Sequence, residues 1–472
     1  MRSFAYGAVC LALWAAACGS DDDKRSDRGA EAGAAGADSA EGGSTSAGTS
    51  GSADAGEGTT GLGGATLGGA GDGSSGETGS SGAGGIEPGA KVNVTGQLVS
   101  PQGAPLAGVR VEVSGEAVTT GENGEFAAEA VVPYDIVVRH TETDTDVYLG
   151  VTRKDPKIVG LYSTANRSAT LTGKLSGVGY PVPAGHETEL TIRGVDVGFS
   201  NRQAAGSNGD YVSSGSPAWT GGETTQATLF ALQHDLTTGA FTAIGSKVVT
   251  LTDQEQLTSP EADLTLVAAV PRDLDVTISA PAGIDYSTVV FFVGNVPVTI
   301  DSPSSEFTLQ VPEAVPEEVG LVLNLDAMVD GRRTYVLSTL PSSTESLDLE
   351  IGVPPAATSP ADEATLSATT GAFRFTAQPG AVSRVRFRYA EILSGGELRI
   401  DHYTNVMTDD ASLPLSRLLA LDLDLPADEP MTWTVESRAD APTVDAYLAP
   451  THDSVSDQRG GMDEPRVFRF QE

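Results

Sequence analysis

The stretch Val92–His140, VNVTGQLVSPQGAPLAGVRVEVSGEAVTTGENGEFAAEAVVPYDIVVRH, decides the fold class. Val109, Val111 and Val113 alternate with Arg110 and Glu112, the two-residue period of a strand with one buried face. Gly96, Gly103, Gly108, Gly121 and Gly124 punctuate the stretch where the chain must turn. Asn123-Gly124 is the strongest short hairpin signal among them, because a type I′ turn needs positive φ at both central residues. Strands and tight turns alternate throughout, so the expectation is an all-β protein.

Several features occur here in a particular order. They are Gly96, the turn Pro101-Gln102-Gly103, then Pro105-Leu106-Ala107-Gly108-Val109, Thr120, Asn123-Gly124, Phe126 and Pro133-Tyr134. In order and spacing they resemble the carboxypeptidase regulatory-like domain, a small transthyretin-like β-sandwich. The resemblance covers about 50 residues, counted on this sequence. It implies a fold and an adhesive or structural accessory role, not a reaction. The expected first module is 91–166.

Downstream, 167–270 carries ATLTGKLSG, TELTIRGVDV and ATLFALQHD, and 271–353 carries LDVTISA, STVVFFVGNV, GLVLNLDAM and TYVLSTL. Both blocks are expected to be β-sandwich-like. Each ends on a strand, a polar turn with Gly239 or Gly331, a second strand, and a spaced leucine pair, Leu264/Leu266 or Leu347/Leu349. The pattern fits either an internal repeat of one sandwich unit or two hairpins converging on similar patterning. From Pro354 the spacing changes. Val385, Phe387 and Tyr389 alternate with arginines, and Met431, Trp433 and Val435 alternate with threonine residues. Leading prolines, Phe375, Tyr389 and the late Trp433 strand resemble a fibronectin type III domain over 354–472, with Phe375 where that family usually has Trp. Helical signal is weak; SRLLALDLDLPADEP around Leu418 is the best short candidate.

Upstream, 18–90 is Gly, Ser, Ala and Thr with scattered acids, and Leu62, Leu67 and Ile86 are its few bulky apolar residues. Such a segment buries too little surface to offset its ordering entropy, so a disordered tether is expected. As a Gly-rich coil of roughly 70 residues it would span ~45–50 Å root-mean-square, and ~240 Å at full extension. Before it, Arg2 precedes a nearly continuous apolar run, Phe4 to Ala17, that ends on Ala15-Ala16-Ala17-Cys18. The order of charge, apolar centre and small residues is that of a secretory signal over 1–17. The run is shorter than the ~20 residues needed to span a bilayer core. The cysteine after the alanines resembles the lipobox of bacterial lipoproteins, with Ala15 where a branched residue is usual. That resemblance implies lipidation of Cys18; the other reading is an ordinary cleavage site with an incidental cysteine. Asp21-Asp22-Asp23 either resembles an acidic surface-export signal or is a solvated run.

Composition narrows the function. With 64 acidic and 28 basic residues the formal charge is −36, which repels nucleic acid and anionic headgroups. Cys10 and Cys18 are the only cysteines, so a lipidated Cys18 leaves no thiolate chemistry in the mature chain. His186-Glu187-Thr188-Glu189 has the His-x-x-Glu spacing of zinc carboxypeptidases, but 80 residues cannot house that α/β domain, and Glu189–Ile192 reads as a strand start. His402 beside Asp401 reads as an exposed strand histidine. Asp144-Thr145-Asp146 and Asp409-Asp410 put hard oxygens in expected loops without EF-hand order. Tyr211 and Trp219 lie in a Gly/Ser-rich segment, either as sugar-stacking aromatics or as buried anchors. No catalytic residue, metal ligand or cofactor is assigned. The expectation is a non-enzymatic cell-envelope lipoprotein, held in an outer membrane or at the cell surface through Cys18. Its sandwich modules would meet a carbohydrate or protein ligand. The competing expectation is an envelope carbohydrate-active hydrolase with its catalytic block within 168–353.

Overall fold

The computed structural model describes residues 86–471 apart from 102, 161–166, 195–202, 205, 214–216, 220–221, 283–284, 295, 302–304, 330, 393–398 and 451–456. The expected signal, Cys18 and nearly all of the expected tether lie outside the described residues.

The described chain is built from strands, with two short helices, Leu415–Ala420 and Val444–Tyr447. The first overlaps the start of the segment where helical pattern is strongest in the sequence, and it buries Leu415 and Leu418. The strands form β-sandwiches that close in a common way. In each, a late strand runs parallel to an early one. Gln97–Val99 pairs with Lys157–Val159, and Leu175–Gly177 with Leu264–Leu266. Asp275–Ser279 pairs with Ser346–Glu350, and Ala364–Ser367 with Phe468–Gln471. Parallel neighbours cannot be joined by a tight turn, so a long intervening segment must wrap between them. The spaced leucines of the sequence, Leu264/Leu266 and Leu347/Leu349, lie on two of these closing strands. A parallel closing pair is thus common to four segments, among them the two whose ends look alike in the sequence.

The Asn123-Gly124 turn differs in type from its sequence signal. Gly124 has φ +71°, but Asn123 is not in the positive-φ region. Gly124 N–H donates to Gly121 and Gly121 N–H to Glu125, closing the loop on a single left-handed residue. A Cβ on Gly124 would lie 2.2 Å from the Leu98 carbonyl, so the turn is docked directly on the Lys91–Val99 strand.

The sandwiches are not strung out separately. One sheet of fourteen strands passes through three of them. Tyr403–Met407 pairs in parallel with Asp144–Tyr148, joining the last sandwich to the first. Arg333–Ser338 pairs antiparallel with Asp457–Met462, joining the third to the last. The cores merge at the same places. Val137, Val147 and Leu149 pack with Phe373, Phe387, Leu413 and Trp433 of the last sandwich. Val382, Met407, Val444 and Leu448 pack in the first sandwich's core with Ile136 and Tyr148. Phe230, Leu232, Phe241 and Ile244 of the second pack with Leu274, Phe291 and Leu323 of the third. Phe373 is the aromatic hub of the last sandwich, 4.8 Å from Phe387, 5.2 Å from Trp433 and 4.9 Å from Phe468 between ring centres. Phe375, singled out from sequence, is buried beside it.

Candidate functional site

A line of buried and half-buried polar side chains crosses the joined sheet, and strand register puts it there. Arg384 stands opposite Glu436, Arg386 opposite Asn405, and Asn405 opposite Asp146. Glu436, 4 % exposed, accepts from Arg384 Nε at 2.9 Å and from the Tyr335 hydroxyl. Arg386 Nε donates to Asn405 Oδ1 at 3.0 Å, and Asn405 Nδ2 donates to Asp146 Oδ1 at 2.9 Å. The other oxygen of Asp146 lies 2.9 Å from His140 Nε2. Tyr335 belongs to the third sandwich, Arg384, Arg386, Asn405 and Glu436 to the last, and His140 and Asp146 to the first. Tyr335 reaches Glu436 past Gly460, where a Cβ would lie 3.0 Å from the phenol oxygen and 2.2 Å from the Ser437 carbonyl. Glycine is needed there for close approach.

The electrostatics are those of a satisfied network. Burial pushes the Glu436 carboxyl up, but Arg384, Arg438 and Arg386 outweigh it and hold it below its ordinary value. Burial opposes the Arg384 charge, and Glu436 more than restores it. Burial likewise opposes charge on Asp146, yet His140, Asn405 and Arg384 bring its pKa down. His140 is raised because Asp146 outweighs the effect of burial. Burial, then the Glu436 charge, raises Tyr335. These carboxylates are held ionised by cationic neighbours and hydrogen-bond donors, and their hydrogen bonds link side chains of three sandwiches.

The structure decides between the readings open for several residues singled out from sequence. Asp144 and Asp146 begin the strand Asp144–Val151 and are buried, not solvated loop ligands. Tyr211 and Trp219 are 3 % and 1 % exposed, so neither ring face is open for sugar stacking. They are core anchors: the Tyr211 hydroxyl donates to the Ala262 carbonyl at 2.5 Å, and Trp219 Nε1 to that of Gly222 at 3.0 Å. Asp409 accepts from Val444 N–H at 2.8 Å at the start of the second helix; burial raises its pKa. His402 stacks on Tyr389 with ring centres 4.4 Å apart, and Asp401 meets Arg388 at 3.1 Å.

The His186-x-x-Glu189 pair is separated by strand alternation, because the strand starts at His186 and runs to Arg193. His186 sits 3.9 Å from Asp235. A different grouping forms instead. Glu187, Glu189 and His234 bring ligand atoms within 4.8 Å of one another. The sequence signal for it was Glu-x-Glu on a strand; the histidine partner, 47 positions after Glu187, is supplied by register, which sets Glu187 opposite His234. A surface cleft in the first sandwich, about 890 Å³, is lined by Gln97, Glu125, Phe126, Asp155, Lys157 and Pro450 among others.

No protein-family model and no curated protein matches this chain. Among solved structures it is similar to the Bacillus anthracis TIE protein, at 11 % identity over 55 % of this chain and 50 % of that one, TM-score 0.15. The chain thus spans about half the length of that protein. It is also similar to the shaft pilin spaA of Lactobacillus rhamnosus GG, at 7 % identity over 39 % of this chain and 96 % of that one, TM-score 0.14. A third is a Streptococcal ancillary pilin, at 10 % identity over 55 % and 99 %, TM-score 0.15. In class, the chain is a β-sandwich protein.

Proposed function

We propose that this chain is a non-enzymatic lipoprotein of the bacterial cell envelope, anchored through Cys18, that presents its sandwiches for adhesion or a structural role at the surface. The observation that carries the reading is the strand-to-strand fusion of the first, third and last sandwiches through a satisfied polar seam. Rigid joints keep a fixed spacing between binding faces or transmit force, and neither task needs a catalytic centre. The first sandwich is taken as carboxypeptidase regulatory-like. This is supported by Gly96, which lies against the Phe126 ring where a Cβ would be 2.1 Å from Cζ, and by the docked Gly124 turn. The fibronectin-like reading of the last sandwich is supported by the buried Trp433–Phe373 contact. The block 168–353, where a hydrolase would have to reside, is read as two further sandwiches. The partner is a carbohydrate or protein ligand at the cell surface.

The test begins with the anchor. Acyl chains contribute ~0.8 kcal/mol per buried CH₂, so several chains hold a protein firmly to a bilayer. Cys18→Ser should abolish lipid labelling and move the protein from the detergent phase to the aqueous phase. Unchanged partition in the variant would sink the lipoprotein reading. Turnover of any member of a panel of glycosides, esters and peptides by the purified protein would overturn the non-enzymatic one.

A further inference from the structure

We infer that Glu187, Glu189 and His234 form a binding site for a divalent transition-metal ion, with Zn²⁺ as the best-fitting ion. Two adjacent strands build it. In His186–Arg193, Glu187 and Glu189 are two residues apart and so share a face. In Thr224–Asp235, His234 lies directly opposite Glu187, and Leu232 opposite Glu189. Glu189 and His234 are 1 % and 7 % exposed, while Glu187 is half-buried. The site is thus closed on its inner side and reachable from its outer one.

The donor set selects the ion. Two carboxylates and an imidazole suit zinc and its first-row neighbours, whereas calcium takes an all-oxygen shell of six to eight ligands. Ligand atoms bound ~2.0–2.2 Å from a common tetrahedral centre lie roughly 3.4 Å apart. The three ligand atoms already fall within 4.8 Å, so a small adjustment of the half-buried Glu187 side chain completes the set. Water would occupy the remaining position on the open side.

Its place in the fold suggests what it does. Leu232 and Phe230 share the face of Glu187 and Glu189 and pack in the core of the third sandwich. A Cβ on Gly294 of the third sandwich would lie 3.3 Å from both the Phe230 ring and Thr191 Oγ1. An ion at Glu187, Glu189 and His234 would therefore clamp the two strands that meet the third sandwich. The site is structural, and it does not depend on the lipid anchor.

The experiment is calorimetric titration of Zn²⁺, and separately Ca²⁺, into chelator-stripped full-length protein, with thermal melting followed in parallel. The expected result is a single saturable Zn²⁺ per chain, a rise in melting temperature, and no competition by Ca²⁺. His234→Gln and Glu187→Gln should lose that binding, while His186→Gln keeps it. Glu187 is half-buried, so its variant should fold, and the melting of each stripped variant reports that directly. Absence of saturable Zn²⁺ binding in the wild type, or undiminished binding in His234→Gln and Glu187→Gln, would overturn the site. Ca²⁺ binding equal to that of Zn²⁺ would overturn the assignment of ion class.

Discussion

Glu436→Ala is the sharpest single perturbation of the joined sheet. The Glu436 side chain is 5 % exposed and that of Arg384 13 %, so their interaction is little screened by solvent. Removing the carboxylate takes from Arg384 its opposite charge across the Met431–Arg438 and Val382–Ile392 pairing, and from Tyr335 its acceptor. Breaking one partner of a buried ion pair costs ~3–5 kcal/mol. Loss of a hydrogen bond to a charged acceptor, taken alone, costs ~1.5–3 kcal/mol. Because both contacts end on the same carboxylate, the expected loss is about 3–5 kcal/mol in total rather than their sum. Tyr335→Phe removes only the hydroxyl, and it should cost ~1–3 kcal/mol. The double variant should cost less than the two singles added, with a coupling of ~0.5–3 kcal/mol. Urea denaturation of the four proteins, followed by fluorescence and far-ultraviolet circular dichroism, supplies the cycle. Additivity within error, or a loss below 1 kcal/mol for Glu436→Ala, would refute the argument that this carboxylate ties the third sandwich to the last.

Other outcomes are expected at the turns, the joint and the histidine pair. Gly124→Val forces a β-branched residue to φ +71° and sets its Cβ 2.2 Å from the Leu98 carbonyl, so it should cost more than the ~1–3 kcal/mol of backbone strain alone. Gly108→Ala, at φ +75° with open space around it, should cost only ~1–2 kcal/mol; equal melting shifts for the two variants would remove the docking argument. Gly460→Val meets the Ser437 carbonyl and Tyr335, and proteolysis should then cut near Asp457–Met462 faster than in the wild type. His140 has its pKa raised in the folded state, so its contribution to stability is full below about pH 6.5 and is lost as pH rises through the folded value. Asp146 has its pKa lowered, so its contribution is present above about pH 3.9 and is lost as pH falls through the folded value. Melting curves of wild type and Asp146→Asn should therefore differ most between those limits. A difference constant with pH would show that the pair does not titrate with folding.

Much of the fold was legible because strands announce themselves locally. Alternation at Val109–Val113 and at Val385–Tyr389 depends on near neighbours alone, as does the short helix at Leu415–Ala420. The joints were not legible, because their partners are far apart in sequence: Asp144–Tyr148 finds Tyr403–Met407 some 260 positions later. Burial of Asp144 and Asp146 follows from that pairing, and without it they read as loop acids. Tyr211 and Trp219 were half legible: their Gly/Ser-rich flanks fit sugar stacking or buried anchoring alike, and the module core that encloses them decides for anchors. Two features of the sequence bear on the seam without locating it. Arg384, Arg386 and Arg388 on one strand face call for partners, and Gly460-Gly461 allows the close backbone approach seen once the strand Asp457–Met462 is known. The Glu187–Glu189–His234 grouping was half legible. The Glu-x-Glu spacing fixes two groups on one face, but only register could bring His234 to them.

The central claim is that strand pairing fuses the first, third and last sandwiches into one cooperative body, and hydrogen–deuterium exchange at the joints tests it most directly. Backbone amides in Tyr403–Met407, Asp144–Tyr148 and Asp457–Met462 should exchange as slowly as those in the central strand Val382–Ile392, and they should open together with it as denaturant is added. Fast exchange at these segments while Val382–Ile392 stays protected would mean that the sandwiches are separate modules merely in contact, and would contradict the account.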